Sequence, residues 1–164
     1  MNQGGGYIDP AAEYLRDWAY EFLKNKDLIL RRIESMEIHD DIILIKLREG
    51  YEQGCLIAPF IEDLSQCFSK LERYSHATLI AYNTEENYNA LLKDWDKMAA
   101  FKRQFNLHFV NPFSAKDKQW GIFPYTHQLI TQGEGLKTGL SALRSNVDVI
   151  TKETIIKKIN ENKR

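Results

Sequence analysis

The stretch Cys55-Leu56-Ile57-Ala58-Pro59 is a short apolar run without a charged residue, and it opens the part of the sequence that decides the fold. Two similar runs follow, at residues 76–82 and 107–110. Short uncharged runs that stop at Pro or Asn are typical of strands buried on both faces. The three runs therefore predict the inner strands of one sheet.

Each gap between these runs has the apolar spacing of an amphipathic helix. In the first, Asp63 is placed to cap a helix whose apolar residues recur every three or four positions from Leu64 to Leu71. In the second, Asn83 and Glu86 form a cap pair before an apolar stripe that runs from Tyr88 to Phe105. Strands joined by a single helix run parallel, because a parallel connection needs a crossover of a dozen or more residues. Residues 54–111 thus predict a parallel β-α-β-α-β unit.

The flanking segments predict the remaining elements. Asp9-Pro10 is a typical helix start, and the apolar residues from 15 to 33 keep one face, which favours one long helix or two helices broken near residues 25–27. Residues 42–47, joined to the first inner strand by a polar loop with two glycines, predict an antiparallel hairpin. Residues 119–123 predict an edge strand. Two C-terminal helices are expected, the second of them capped by Thr151.

Together these elements predict one α/β domain of the three-layer type at residues 9–160. Its mixed sheet of about five strands follows the order N-terminal helix, β-hairpin, parallel β-α-β-α-β unit, edge strand and C-terminal helices. We expect residues 1–8, which include three consecutive glycines, to be a flexible N-terminal segment, and residues 161–164 to be a polar tail. A length of 164 residues fits a single domain.

Composition narrows the function classes. The net charge of -1 argues against a strongly cationic nucleic-acid binder. No apolar run approaches the length of a membrane span and no signal-peptide pattern occurs, so a cytoplasmic protein without a membrane partner is expected. Cys55 and Cys67 occupy apolar positions, which predicts small core residues rather than a disulfide or a metal clip.

The first candidate site is the carboxyl end of the parallel strands, where open α/β sheets bind ligands. The short polar residues expected at this rim, and predicted to bind a ligand, are Asn83, Thr84, Asn111 and Ser114. Such residues more often cap helices and turns, so a purely structural role is the favoured alternative. The rim carboxylates Glu62, Asp63, Glu85 and Glu86 can bind a cation, but they fit better as compensation of helix dipoles.

The second candidate is aromatic and lies after the last predicted strand. His127 falls in an expected loop, where a ring can be both exposed and positioned, and it is the leading functional histidine. Tyr125 adds aromatic surface beside it, together with Trp120 and Phe113, although core packing is the commoner role of such rings. His108 is expected beneath a helix, with its hydrogen bonds satisfied.

The third candidate is the cluster His39-Asp40-Asp41 at the start of the first hairpin strand. Adjacent strand residues point to opposite faces, so the two aspartates share a metal only with a bulge or a third ligand. A solvated strand start is the favoured interpretation.

The order of helix, hairpin and strand-helix-strand resembles the restriction-endonuclease-like fold. That resemblance implies a nuclease that uses Mg²⁺, held by Asp40, Asp41 and a glutamate of the first helix, either Glu13 or Glu21. The sequence departs from the family at the next strand. The Glu-x-Lys expected near residues 55–60 is replaced by a segment with neither carboxylate nor lysine.

No nucleophile elbow, phosphate loop, dinucleotide fingerprint or zinc pattern occurs in the sequence. We therefore predict a non-catalytic module that needs no cofactor and binds a small molecule or a protein. A divergent or inactive nuclease is the alternative. A nucleotide-binding domain of flavodoxin or Rossmann type ranks last, because the rim is acidic and the first loop lacks glycines.

Overall fold

The computed structural model describes residues 9–132 and 134–163, and the predicted flexible segment 1–8 lies outside them. Within these ranges the helices are α1 (Pro10–Lys26), α2 (Leu64–Leu71), α3 (Glu85–Lys93), α4 (Trp95–Phe101), α5 (Pro124–Thr131), α6 (Leu136–Arg144) and α7 (Lys152–Asn162). The strands are β1 (Ile33–His39), β2 (Ile42–Leu47), β3 (Glu52–Ile57), β4 (His76–Tyr82), β5 (Phe105–Val110) and β6 (Gln119–Ile122).

The six strands form one mixed sheet in the order β1-β2-β3-β4-β5-β6. The three inner strands β3, β4 and β5 are parallel neighbours, as the sequence predicts. The pairs β1 with β2, β2 with β3, and β5 with β6 are antiparallel. The α/β class, the mixed sheet and the predicted hairpin of β2 and β3 are therefore confirmed.

Helices cover both faces of this sheet, but unequally. The connections α2 and α3-α4 lie on the same face and share one core with α6, which includes Leu71, Leu91 and Leu140. The opposite face has a smaller core, in which α1 and α7 cover the sheet through Leu15, Ala19 and Ile155. This second face, with fewer helices, is where the candidate site lies.

The sequence did not predict β1, the edge strand. The expected helical face through Ile29, Leu30 and Ile33 is wrong, because α1 ends at Lys26 and a turn follows. The carboxylate of Asp27 accepts hydrogen bonds from the backbone N–H groups of residues 32 and 33, at 2.8 and 2.9 Å, and so fixes this turn. A register shift between residues 33 and 35 disturbs the alternation that identifies a strand.

Two further boundaries differ from the expectation. The long second helix is two helices, α3 and α4, which meet at Asp94, and Phe105 starts β5 instead of ending a helix. His127 lies within α5 and not in a loop, because Pro124 starts that helix directly after β6. The caps predicted at Asp9, Asp63 and Thr151 are confirmed, since each side chain accepts a hydrogen bond from the first helical turn.

Gly54 lets an aromatic ring lie directly on β3. A Cβ atom at this position would come within 2.3 Å of Cδ2 of Tyr74, whose ring is buried in the larger core. We expect Gly54→Ala to lower the free energy of unfolding by about 1–3 kcal/mol, because the ring must move within a packed core. Urea denaturation followed by circular dichroism measures the change.

Gly139→Ala is the matched control. Gly139 lies within α6, where a Cβ atom would meet its nearest neighbour at an ordinary 3.8 Å, so alanine should leave stability unchanged or raise it by up to about 1 kcal/mol. Equal destabilisation by the two variants would contradict the close approach of Tyr74 to β3.

Candidate functional site

A cavity of about 200 Å³ lies on the less covered face, between the C-terminal half of α1 and the amino-terminal halves of the parallel strands. Its walls include the apolar side chains of Leu23, Leu30, Ile33, Ile45 and Leu47. Its floor is polar, which is unusual for a sheet face under a helix. The polar floor residues are Gln53, His76, Thr78, Asn106 and His108.

Strand register explains why these polar residues meet. Side chains two positions apart on a strand share a face, so Thr78 lies beside His76, and Asn106 beside His108. The parallel pairing sets Gln53 opposite His76 and Thr78 opposite Asn106. Three neighbouring strands therefore present one continuous polar row toward α1.

The floor is partly organised by its own hydrogen bonds. Nε2 of Gln53 donates to Oγ1 of Thr78 at 2.9 Å, and Nδ1 of His108 lies 2.8 Å from Oε1 of Gln119 on β6. A carbonyl oxygen only accepts, so this contact assigns the proton to Nδ1 and leaves Nε2 of His108 as an acceptor. Asn106 differs from the others: its Oδ1 atom is buried, and no group in the described part of the chain donates to it.

Charged side chains of both signs line this cavity beside its polar floor: Lys26, Asp27 and Arg32. Burial lowers the pKa of His108 below its ordinary value of 6.5, and the nearby Lys26 lowers it further, whereas the hydrogen bond with Gln119 opposes this. The imidazole is therefore neutral at pH 7. Arg32 is paired with Glu49 at 3.1 Å.

Gly121 of β6 provides the space in which the ring of His108 lies. It lies opposite His108 in the antiparallel register of β5 and β6, and a Cβ atom there would come within 2.7 Å of Nδ1. The ring therefore rests on the backbone of β6.

The cysteines do not provide a nucleophile. Both are buried and free, and burial raises the pKa of the Cys55 thiol to about 12 despite a hydrogen bond with Thr78. A protonated thiol is a poor nucleophile, so the prediction of core cysteines is confirmed.

The predicted rim residues form hydrogen bonds with other parts of the protein. Asn83 is fully buried: its Nδ2 donates to the carbonyl oxygens of Val147 and Asp148 at 3.2 Å, and its Oδ1 accepts from Nε1 of Trp120 at 3.0 Å. Nδ2 of Asn111 donates to the same Asp148 carbonyl at 2.9 Å. Oγ of Ser114 donates to the Asp148 carboxylate at 3.2 Å.

The Asp148 carboxylate also accepts from the backbone N–H of Ala115 at 2.8 Å, and chiefly this bond lowers its pKa. The rim thus holds the segment between α6 and α7 onto the sheet, and the ligand-binding role of its residues stays a prediction. The predicted cap at Asn83 is wrong. Thr84 caps α3 by accepting a hydrogen bond from the N–H of Asn87 at 3.1 Å. The side chain of Asn83 instead binds the segment between α6 and α7.

The structure does not bring Tyr125 and His127 to that rim. Both lie on α5, where the ring of Tyr125 stacks with the Arg103 guanidinium at 5.3 Å and the ring of His127 meets Trp95 edge-on at 5.5 Å. Nε2 of His127 is buried and has no hydrogen-bond partner among the residues that the structure describes. Their predicted role in ligand binding also stays a prediction.

The acidic cluster forms the tight turn between β1 and β2, since His39 pairs with Ile42 across it. Asp40 has a left-handed backbone with φ of 56°, and Nζ of Lys70 lies 2.5 Å from the Asp41 carboxylate. Glu13 lines one cavity with both aspartates, whereas Glu21 is exposed elsewhere on α1. Within residues 9–132 and 134–163, no three His, Cys, Asp or Glu side chains are placed to hold a metal ion.

The sequence contained a signal for the polar row that was not used. Thr78 and Asn106 interrupt apolar runs, and each falls on the same alternating face as the histidine of its own strand, His76 or His108, whereas Gln53 lies in the polar segment before the first apolar run. Only the register between strands shows that they are neighbours in space.

None of the described helices is long and apolar enough to cross a bilayer. Comparisons with protein-family models, with curated proteins and with solved structures give no match, so arguments about function start from the geometry of the chain itself.

Proposed function

We propose that the protein is a non-catalytic binding module whose ligand is a small polar molecule held in the cavity beneath α1. The observation that carries this proposal is the Oδ1 atom of Asn106, which is buried in the polar row without a donor among residues 9–132 and 134–163. A buried acceptor left unpaired costs about 1–3 kcal/mol, and a ligand that donates a hydrogen bond to it removes that cost.

The chemistry of the row defines the ligand. Oδ1 of Asn106 and Nε2 of His108 are acceptors, so the group that reaches them carries N–H or O–H donors. Lys26 lines the cavity with its ammonium group 5.9 Å from the centre of the Phe22 ring, and within the described ranges it forms no ion pair. The Asp27 carboxylate lines the same cavity but is engaged by two backbone N–H groups, so Lys26 favours an anionic group on the ligand. A volume of about 200 Å³ admits a molecule the size of an amino acid or a nucleobase.

A second candidate function is the Mg²⁺-dependent nuclease, because Glu13, Asp40 and Asp41 line one cavity of about 340 Å³. The ion pair with Lys70 opposes it, since the ammonium group occupies the Asp41 carboxylate that the metal would need. We rank it below the binding module. The two differ in their response to divalent cations.

Ligand binding is tested by a ligand-observed NMR screen of amino acids, nucleobases, nucleosides and monosaccharides. We expect a hit whose affinity falls about tenfold or more in Asn106→Leu, which removes the acceptor, and falls less in Asn106→Asp, which keeps an acceptor oxygen. Asn160→Leu makes the same change on the exposed face of α7 and should leave the affinity unchanged.

A hit that is lost in His127→Ala but retained in Asn106→Leu would place the ligand at α5 and refute the cavity. Stabilisation by Mg²⁺ or Mn²⁺ in a thermal-shift assay that disappears in Asp41→Asn would instead support the nuclease.

The lowered pKa of His108 predicts a pH dependence of stability. The unfolded chain binds a proton near pH 6.5 whereas the folded chain does so only at lower pH, so stability falls as the pH drops below about 6.5. For this one group the loss at pH 5.5 is at most about 1.4 kcal/mol. Urea denaturation at pH 7.5 and 5.5 should show a smaller difference for His108→Gln than for the wild type.

The same pH difference in both proteins would show that His108 is not shielded from water. Carboxylates titrate alike in the two proteins, so comparing the variant with the wild type isolates the histidine.

A further inference from the structure

The turn between α1 and β1 exposes three consecutive aliphatic side chains. Leu28, Ile29 and Leu30 are 64%, 92% and 68% exposed. Single exposed aliphatic residues are common on protein surfaces, but a run of three at a turn is not expected without a function. The turn itself does not require aliphatic side chains, because Asp27 already fixes it through its backbone hydrogen bonds.

Three cationic side chains lie beside this apolar tip. A cavity of about 280 Å³ beside it is lined by Lys24, Arg31 and Arg48, together with Leu28 and Asp27. All three cations are exposed, and within the described ranges none of them forms an ion pair. The one carboxylate at this cavity, that of Asp27, is engaged by two backbone N–H groups.

The geometry points to an anionic phospholipid surface as the partner of this turn. We propose that Leu28, Ile29 and Leu30 enter the boundary of the acyl chains while Lys24, Arg31 and Arg48 contact headgroup phosphates. An apolar turn with Lys and Arg beside it matches the layered structure of an anionic bilayer, with cations at the phosphates and aliphatic groups below them. The expectation of no membrane partner was drawn from the absence of a spanning segment, which surface docking does not need.

A protein partner fits the same turn less well. A stable protein interface buries about 800 Å² on each side, which one narrow convex turn does not supply. Aromatic anchors, which are enriched at such interfaces, are missing between residues 27 and 32. Nucleic acid would pair with the cations, but it offers no apolar layer for the exposed Ile29.

The proposal is tested by co-sedimentation with vesicles of equal parts phosphatidylglycerol and phosphatidylcholine, at low and at physiological salt. We expect the chain to pellet with these vesicles, to pellet less at higher salt, and not to pellet with pure phosphatidylcholine. The variants Ile29→Asp and Lys24→Glu should each lower the vesicle affinity about tenfold or more.

Two controls repeat these changes elsewhere. Ile130→Asp alters another exposed aliphatic residue on α5, and Lys137→Glu reverses an exposed charge on α6, so both should bind vesicles as the wild type does. Circular dichroism of each variant checks that it is folded.

Three results would overturn the membrane assignment. The first is no pelleting with anionic vesicles. The second is vesicle binding that Ile29→Asp leaves unchanged. The third is an anion site without a membrane, seen as thermal stabilisation by inorganic phosphate or binding of duplex DNA that depends on Lys24 but not on Ile29.

Discussion

The parallel pairing of β3, β4 and β5 is the constraint on which the rest of the structure depends. Parallel neighbours must be joined by crossovers, and here both crossovers, α2 and α3-α4, lie on the same face. That face is covered by these two crossovers together with α6. The opposite face depends on the two ends of the chain, α1 and α7, for its cover.

This unequal covering explains where the cavity and its polar floor lie. In many α/β folds the ligand crevice opens at the point where the order of the strands in the sheet reverses. The sheet of the described residues has no such point, because its strand order follows the sequence and its crossovers lie on one face. The carboxyl rim is instead closed by the segment between α6 and α7, held by Asn83, Asn111 and Ser114. Open space remains at the amino end of the strands, beneath the C-terminal half of α1.

The turn after α1 links the two proposals without making one depend on the other. Leu30 and Ile33 wall the cavity on one side, while Leu28 and Arg31 face the cationic cavity beside it. The same short segment therefore borders both a candidate ligand site and a candidate membrane-docking tip. Asp27 holds it in place from within, which gives both surfaces a defined shape.

The sequence alone determined the α/β class, the three parallel strands, the hairpin and the helix caps at Asp9, Asp63 and Thr151, because these depend on local periodicity and on short polar residues at element ends. It did not reveal β1, since an exposed edge strand with an irregular register lacks a clear period of two. Nor could it separate Asn83 from Thr84 as the cap of α3, because either side chain can cap and tertiary contacts decided between them.

Only the tertiary structure brings Gln53, Thr78 and Asn106 together in the polar row. Alternation along each strand is a local property, but the alignment of one strand with the next is not, and only that alignment makes distant polar residues neighbours.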